Sequence, residues 1–453
     1  MNRRTFLAAS PLLPAALASC GRKPKRSALP AQVQGILETI REQYRSTLLD
    51  DIVPFWEAHG VDRKRGGLMT CLTDDGVLMS DEKYTYSVAR GLWTFSALYN
   101  RVEKRREWID IARSTAAFLV EHGRDANGDW VYAMERDGRV KEGPVSIWSD
   151  TFACYGLIEY SRASKDARAF DIAVATLRRI RERTSRDDFD AIAPYKMTPG
   201  VITHGISMME VVLSDEILRL IHPDAGSARV RGSVKRLPDI EDIHTSAVDR
   251  VMRCHLDPGG FLRENVRRDC SRMDTPEGRF VIPGHAVESM WKIMRSASRT
   301  GNETPRRLYP NAGDPVNALI AEAAEVMRRH LEAGWDKEYG GIYYSLDTSG
   351  AEPNLPDYPP WYLKMWWSHT EALLGIILAY ELARVDWAVE WYPRLQEYAF
   401  SRYPTGNGKD WHERLTREGK VMTETVGLPV KDFFHTPRMC MLVMESIDRM
   451  LKG

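Results

Sequence analysis

The chain has 453 residues, of which 43% are hydrophobic, so it can bury a large core as one big domain or as two. Lysine plus arginine and aspartate plus glutamate are equal at 63 each. This balance excludes a strong overall field that would attract nucleic acid or an anionic membrane surface. We therefore expect a small neutral partner and no nucleic-acid partner.

The first twenty residues have the pattern of an export signal. A basic start, Asn2-Arg3-Arg4, precedes an apolar run from Ala8 to Ala18 that is too short to span a bilayer. The twin arginines resemble a Tat signal, and Leu17-Ala18-Ser19-Cys20 resembles the lipobox of bacterial lipoproteins, in which the cysteine is lipidated. Plain Tat cleavage near Ala18 is the alternative.

Both interpretations predict an exported protein, either periplasmic or held to a membrane only by a lipid on Cys20. Residues 1–20 are then the signal, residues 21–30 a linker, and residues 31–453 a single domain.

The cysteines beyond the leader have no spacing suited to zinc and no Cys-x-x-Cys pair, so we predict no metal site. Their odd number at scattered positions indicates mostly buried thiols that act as small apolar side chains. They are Cys71, Cys154, Cys254, Cys270 and Cys440.

Apolar residues recur with a helical period along most of the chain, most clearly over residues 33–49, 84–102, 108–122 and 149–161. Strand-like segments are confined to short hairpins with glycine in the turn. The spacings of these turn glycines are 62, 132, 80 and 66 residues, so that three of the four are near 60 to 70 residues or twice that, and the longer gap of 80 contains a polar insertion. They are Gly66, Gly128, Gly260, Gly340 and Gly406.

A sixth, degenerate hairpin falls near residues 187–194, which gives six units that each have room for two helices. The pattern predicts an all-α fold, an (α/α)6 barrel with short β-hairpin loops on one face. Polar insertions at residues 229–236 and 301–314 are predicted surface loops. A barrel of this kind turns the ends of its inner helices toward a cleft, where aromatic side chains suit carbohydrates.

Four segments combine aromatic and ionisable side chains on predicted inner helices. The first places two cations and a tryptophan on related faces: Lys83, Arg90 and Trp93. The second follows a Pro-Gly break and presents three groups on one helical face: His285, Glu288 and Trp291. In the third, the aromatic Trp367 and the carboxylate Glu371 lie one helical turn apart, and His369 stands between them in the sequence. The fourth stands at the mouth of the last helix: Phe434 and His435.

Each feature has a structural alternative. A histidine at a helix start often only caps the helix, a tryptophan pair is usually core, and Arg90 and Glu371 could form a structural ion pair. The joint recurrence of these groups favours a functional site.

The motifs resemble the N-acylglucosamine 2-epimerase family, and its N-acetylglucosamine branch in particular, from about residue 51 to residue 451. The best-matched pieces are Gly66-Gly67, Arg90-Gly91-Leu92-Trp93, Pro283-Gly284-His285, residues 364–371 and Phe434-His435-Thr436-Pro437-Arg438. The resemblance implies an (α/α)6 barrel that epimerises C2 of an open-chain aldose. It also implies four catalytic residues: Arg90, His285, Glu371 and His435.

The chemistry needs a base on each face of C2, and two histidines with an ordinary pKa of about 6.5 serve as base and conjugate acid. Arg90 would stabilise the oxyanion at O1, and Glu371 would hold one imidazole in its tautomer or assist ring opening. The expected substrate contacts are Lys83, Trp93, His204, Glu288, Trp291, Trp367, His369 and Phe434. No cofactor or metal is expected, and modulation by ATP is implied by the resemblance only. A homodimer is left open.

His369 favours the N-acetyl branch, which predicts interconversion of N-acetylglucosamine and N-acetylmannosamine. Mannose and cellobiose 2-epimerases or isomerases are the alternatives within the resemblance. A glycoside hydrolase or lyase on the same barrel would use Asp150, but the sequence offers no second carboxylate as well placed as the histidine pair. The remaining alternative is a non-catalytic sugar-binding lipoprotein.

Overall fold

The computed structural model of the protein describes residues 31–221, 237–406, 408–422 and 430–452. The predicted export signal, including Cys20, and the predicted loop at residues 229–236 lie outside these ranges. The α-helices of the described chain are α1 (Ala31–Ser46), α2 (Val53–His59), α3 (Thr85–Ala97), α4 (Arg106–His122), α5 (Ile147–Ser164), α6 (Ala167–Thr184), α7 (His204–Ile221), α8 (Pro238–Asp249), α9 (Pro276–Arg279), α10 (Pro283–Ala297), α11 (Thr304–Leu308), α12 (Pro315–Gly334), α13 (Trp366–Ala383), α14 (Trp387–Arg402) and α15 (His435–Lys452). Single π-helical turns follow α1, α3 and α8 at Thr47–Ile52, Leu98–Val102 and Arg250–His255.

The long helices form two concentric rings. Helices α3, α5, α7, α10, α13 and α15 form the inner ring, and each contacts the next along the chain. Helices α4, α6, α8, α12, α14 and α1 lie outside them, and α1 packs on α15 so that the two ends of the described chain form one helical pair. The ring closes where the Thr94 hydroxyl donates to the Phe433 carbonyl at 2.6 Å. The predicted (α/α)6 barrel is confirmed.

Burial explains which helices lie inside. In the inner helix α13, nearly every side chain from Trp366 to Ala379 is buried, because the helix is surrounded by protein on all sides. In the outer helix α12, burial follows one stripe at a spacing of four residues: Leu319, Ala323, Met327 and Leu331.

Short strands precede the inner helices. They are β1 (Lys83–Tyr84), β2 (Ala133–Met134), β3 (Val140–Glu142), β4 (Val201–Thr203), β5 (Asn265–Arg267), β6 (Phe280–Val281), β7 (Leu346–Asp347), β8 (Lys364–Met365) and β9 (Arg414–Leu415). All pairings are antiparallel, in the orders β1-β2-β3, β4-β5, β6-β7 and β8-β9. Because β1, β4, β6 and β8 lead into inner helices, the hairpins gather on the barrel face where those helices begin.

The predicted glycine turns have the backbone geometry that requires glycine. Gly66 and Gly340 adopt φ angles of 79° and 74°, a region that side-chain-bearing residues rarely enter. At Gly341, an added Cβ would lie 2.4 Å from the ring of Tyr398 on the neighbouring outer helix. These glycines therefore let the hairpins turn tightly against the outer ring.

The cysteine prediction was partly wrong. Cys71, Cys154 and Cys440 are buried free thiols as expected, but Cys254 and Cys270 form a disulfide. It ties the end of a π-helical turn to the loop after β5, a pairing that the scattered sequence positions did not reveal. The insertion at residues 301–314 contains the short helix α11. Within the described residues, no helix combines the length and apolar character needed to cross a bilayer.

Candidate active site

A cavity of about 280 Å³ opens at the end of the barrel where the inner helices begin. All six inner helices contribute a residue of their first turn to its lining: Tyr86, Trp148, Gly205, His285, Trp367 and His435. The N-terminal end of a helix carries a partial positive charge. The cavity therefore favours a ligand group that becomes anionic.

His285 reaches the cavity from the first turn of α10. Its Nδ1 lies 3.2 Å from both carboxylate oxygens of Glu264, the residue just before β5. Burial lowers the pKa of His285, but the Glu264 carboxylate outweighs burial, and the pKa is raised overall. Because Nδ1 faces the carboxylate, Nε2 is the nitrogen left for exchange of a proton with a ligand.

His435 is the first residue of α15 and has the same arrangement. Its Nδ1 lies 2.7 Å from Oε1 of Glu371, a fully buried carboxylate of α13. The backbone N–H of His435 donates to Oδ2 of Asp432 at 2.8 Å, which satisfies one of the unpaired donors at the helix start. The helix cap and the carboxylate together fix this imidazole.

One indole contacts both imidazoles. The ring centroid of Trp367 lies 5.0 Å from that of His285 and 5.9 Å from that of His435. The two histidines therefore belong to a single site, although 150 residues separate them in the sequence. Aromatic side chains form much of the remaining wall: Tyr86, Trp148, Phe152, Tyr195, Tyr344 and Trp366.

A buried ion network lies beneath the histidines. Arg438 donates from Nη2 to Glu288 at 2.7 Å and to Glu371 at 2.6 Å, and Lys292 lies 2.8 Å from Glu288. Burial alone would raise the pKa of Glu288, but Lys292 and Arg438 outweigh it and hold this pKa well below its usual value. Both carboxylates are thus tied to one arginine.

Arg90 also lines the cavity. Its Nη1 donates to Oδ1 of Asp432 at 2.8 Å, and its guanidinium lies 4.1 Å from the ring centroid of Phe152. The Nε of Arg90 is buried and has no hydrogen-bond partner within the described residues. The alternative of an ion pair between Arg90 and Glu371 is wrong, because Asp432 takes the arginine and Arg438 takes the glutamate.

The sequence of the chain matches a known protein family over most of its length. The family model described as N-acylglucosamine 2-epimerase (GlcNAc 2-epimerase) matches residues 67–206 and 246–438. The chain belongs to this family. It is therefore a sugar 2-epimerase, an isomerase acting on carbohydrates.

Two kinds of epimerase, the N-acylglucosamine 2-epimerases and the cellobiose 2-epimerases, are similar in sequence to the chain over most of its length. The N-acylglucosamine 2-epimerase of Bos taurus is 27% identical over 408 residues, which covers 89% of this chain and 90% of that protein. The cellobiose 2-epimerase of Bacteroides fragilis is 30% identical over 353 residues, or 75% of this chain and 81% of that protein.

Solved structures share the fold of this epimerase. The cellobiose 2-epimerase from Spirochaeta thermophila aligns with a TM-score of 0.74 at 20% identity, over 93% of this chain and 100% of that one. A D-mannose isomerase aligns with a TM-score of 0.70 at 15% identity, over 91% and 97%. At these identities the likeness concerns the barrel alone.

The structure brings three of the four predicted catalytic residues of the epimerase to the cavity wall: Arg90, His285 and His435. Glu371 is fully buried behind His435 and does not line the cavity. This position fits the first of its two predicted roles, holding an imidazole in its tautomer, and does not favour a direct part in ring opening. Among the predicted substrate contacts, Glu288 and Trp367 are in the lining.

Two predicted substrate contacts are buried supports instead. Trp291 is fully buried and donates from Nε1 to Glu371 at 2.8 Å. His369 accepts the Ile342 N–H at Nε2 and faces the Met365 carbonyl with Nδ1. Burial lowers the pKa of His369 to about 3, so this ring is neutral and joins α13 to a hairpin.

Lys83 is another corrected contact. It is fully buried, with Nζ 3.1 Å from Asp62 in the preceding hairpin. Lys364 and Asp336 form the equivalent pair at 3.0 Å two residues before another inner helix, so this is a repeated structural link of the barrel. Such a lysine holds a hairpin against an inner helix and lies outside the cavity lining.

The last three predicted contacts lie one layer behind the wall. Trp93 and Phe434 are buried with ring centroids 5.1 Å apart, and Phe434 packs against Arg90. His204 is buried, with Nδ1 3.5 Å from Glu264 and Nε2 2.8 Å from the Ser289 hydroxyl. These three side chains therefore support residues of the cavity wall and do not line the cavity themselves.

Asp150, the carboxylate on which a hydrolase would depend, is also off the cavity. It is fully buried and binds Arg183 at 3.0 Å. Burial raises the pKa of Asp150 to about 7 even beside this arginine. With no place in the lining, Asp150 cannot act on a glycosidic bond held there.

Sequence reasoning missed three carboxylates of the site: Glu264, Glu413 and Asp432. Asp432 had a recognisable signal, because it stands three residues before a histidine that opens a helix, the spacing of a side-chain cap. Glu264 and Glu413 come from hairpins, and pairing between distant strands brings them to the cavity.

Two groups contain residue types that bind metals, with ligand atoms within 4.8 Å of one another: His204, Glu264 and His285 in one, and Glu288, Glu371 and His435 in the other. In the second group, the Arg438 guanidinium already contacts two of the carboxylates. In the first group, both imidazoles already share one carboxylate. A metal ion in the second group would have to displace Arg438 from its carboxylates.

Proposed function

We propose that this protein interconverts N-acetylglucosamine and N-acetylmannosamine by exchanging the C2 proton between His285 and His435. The observation that carries the proposal is the pair of histidines in one cavity, each with a glutamate on Nδ1. Such a carboxylate fixes the ring and its tautomer and stabilises the imidazolium that forms when Nε2 accepts a proton.

The proton transfer runs through Nε2 of each ring. One histidine takes the C2 proton of the open-chain sugar, the C–H electron pair enters the C1–C2 bond, and O1 becomes negative. The other histidine, as imidazolium, then returns a proton to the opposite face of C2. The product is the C2 epimer, and the two rings have exchanged protonation states.

Arg90 supports the charge that develops on O1. Its Nε has no hydrogen-bond partner among the residues that the structure describes, and its guanidinium is held in place by Asp432 and by the ring of Phe152. A donor fixed before the reaction stabilises an oxyanion without reorganising. The helix N-termini that meet at the cavity act in the same direction.

The substrate assignment follows the relatives and the cavity size. Mammalian relatives named N-acylglucosamine 2-epimerase match 88 to 89% of the chain. A cavity of about 280 Å³ is at the small end of ligand pockets, which favours a monosaccharide over a disaccharide. The buried position of His369 removes it as an argument for the acetyl group. Cellobiose stays a second candidate because of the 30% identity to a cellobiose 2-epimerase.

We further propose that the protein works outside the cytoplasm, anchored through Cys20 or free in the periplasm. The disulfide between Cys254 and Cys270 supports this location, because such bonds persist in oxidising compartments. Modulation by ATP and a homodimer stay predictions.

The test is incubation of N-acetylglucosamine, N-acetylmannosamine, mannose and cellobiose in D2O with wild type, His285→Asn and His435→Asn. Each variant should lose net epimerisation of the true substrate, because one face of C2 has no proton donor. Each should still exchange the C2 proton of one epimer, and the preferred epimer should reverse between the variants. Arg90→Lys should lose much of the rate, because a point charge does not replace the planar donor fork.

His122→Asn is the matched control, since this histidine lies outside the cavity lining. Full turnover in either cavity variant, or cleavage of a glycosidic bond without C2 exchange, would contradict the two-base mechanism. Turnover of cellobiose alone would keep the mechanism and change the substrate.

A further inference from the structure

Glu413 is a cavity residue that the proton exchange at C2 does not use. It precedes β9, lines the cavity, and its side chain is 11% exposed. Burial raises the pKa of Glu413 to about 7, with Asp432 adding to the rise, while Lys431 and Arg414 lower it. The carboxyl is therefore present in both protonated and ionised forms near neutral pH.

The hydrogen bonds of Glu413 distinguish its two oxygens. Oε1 accepts the backbone N–H of Asp432 at 2.7 Å, so this oxygen acts as the carbonyl of the acid. Oε2 is the atom that carries the proton, and Nη2 of Arg414 lies 4.0 Å from it, beyond hydrogen-bond distance. An acid proton on Oε2 is available for transfer to a ligand.

The position of Glu413 relative to Arg90 indicates which part of the sugar Glu413 would contact. Asp432 donates its N–H to Glu413 and accepts from Arg90, so a single residue joins the two groups. Arg90 is the residue proposed to bind O1. Glu413 is therefore placed at the C1 end of the substrate, where the ring oxygen O5 is bonded.

Ring opening is a step that the C2 exchange requires. A hexosamine in solution is a cyclic hemiacetal, and its C2 proton becomes acidic only when C1 is an aldehyde. Opening needs a proton on O5 and the removal of the proton from the O1 hydroxyl. Glu371, the carboxylate first considered for this step, is fully buried behind His435.

We propose that Glu413 is the acid that opens the closed sugar. Oε2 gives its proton to O5 as the C1–O5 bond breaks and its electron pair passes to O5. The proton of the O1 hydroxyl leaves to Oε1 or to water, and C1 becomes the aldehyde that Arg90 holds. The assignment rests on the proposed function, because only an open-chain mechanism needs this step.

The experiment measures exchange between the α and β anomers of N-acetylglucosamine by NMR magnetisation transfer, with wild type, Glu413→Gln and Glu418→Gln. Glutamine keeps the acceptor for the Asp432 N–H but has no acid proton. Glu418 lies on the same hairpin, exposed and outside the cavity, and serves as the matched control. Wild type and Glu418→Gln should accelerate anomer exchange, and Glu413→Gln should lose about 100-fold of that acceleration.

A second measurement needs no variant. The wild-type acceleration should fall as the pH rises above about 7, because the acid form of Glu413 disappears. A flat profile, absence of any acceleration by wild type, or wild-type exchange in a folded Glu413→Gln variant overturns the proposal.

Failure of the proposed function gives a different result. If wild type exchanges anomers but never exchanges the C2 proton, the two-histidine mechanism fails and the role of Glu413 stands. If wild type epimerises and Glu413→Gln exchanges anomers equally well, Glu413 fails and the proposed function stands.

Discussion

Replacing Glu264 by glutamine tests how the protein sets the proton affinity of His285. The carboxylate holds Nδ1 of His285 with both oxygens at 3.2 Å, and its own side chain is 4% exposed. Glutamine has nearly the same shape and keeps a hydrogen-bonding oxygen, but it has no charge. The change therefore removes the charge of the partner and leaves the cavity intact.

The size of the effect follows from the charge-assisted hydrogen bond. Such a bond stabilises the charged form by about 1.5 to 3 kcal/mol, so its loss lowers the ratio of imidazolium to imidazole about 10- to 100-fold. The Glu264 carboxylate is what raises the pKa of His285 against burial. In Glu264→Gln, burial prevails, the pKa of His285 falls, and the alkaline limb of the pH profile moves to lower pH.

The assay is kcat/KM across the pH range in both directions for wild type, Glu264→Gln and Glu277→Gln. Both directions must fall by the same factor at a given pH, because the overall equilibrium constant is fixed. Glu277 binds the Thr198 hydroxyl near the same hairpin without lining the cavity, so its variant should match wild type. A Glu264→Gln profile that superimposes on wild type would refute the reasoning.

Three further changes test the fold and the leader. Arg438→Met should lower the free energy of unfolding by about 3 to 5 kcal/mol in urea, because it removes the buried cation that Glu288 and Glu371 share and leaves Glu288 with Lys292 alone; an unchanged urea midpoint would contradict this. Replacing Cys254 and Cys270 together by serine should cost about 3 kcal/mol, the value for a loop of about 15 residues, and dithiothreitol should destabilise wild type but not the variant. Cys20→Ala should abolish palmitate labelling and membrane fractionation; unchanged fractionation would replace the anchor by plain secretion.

The barrel could be predicted because its signals are local. A glycine such as Gly340, with φ at 74°, marks a turn that other residues resist, and the recurrence of such turns marks the repeat. The helical period then gives the helices between the turns. The disulfide was missed because its partners meet through tertiary packing, and their sequence positions carry no pattern.

The site could be predicted only in part, because a sequence motif shows which helical face a residue occupies but not whether that residue lies at the cavity or in the core. His285 and Trp291 lie on one helical face. Because Trp291 is six residues further along the helix, its indole lies in the core while His285 lines the cavity. The helical period predicts which face a residue occupies, but not how far the cavity extends along it. Glu413 was missed for the opposite reason, since a hairpin residue has no helical neighbours to mark it.

The buried charges beneath the two imidazoles are balanced when one of the two rings carries a proton. Three buried carboxylates surround the rings: Glu264, Glu288 and Glu371. Two buried cations oppose them, Lys292 and Arg438. One imidazolium makes the set electrically neutral, and uncompensated buried charge is costly. In the proposed mechanism, each turnover moves this proton to the other ring, so that the enzyme is then in the protonation state that accepts the opposite epimer. Under this mechanism, the free enzyme returns the proton through solvent before it repeats the same direction.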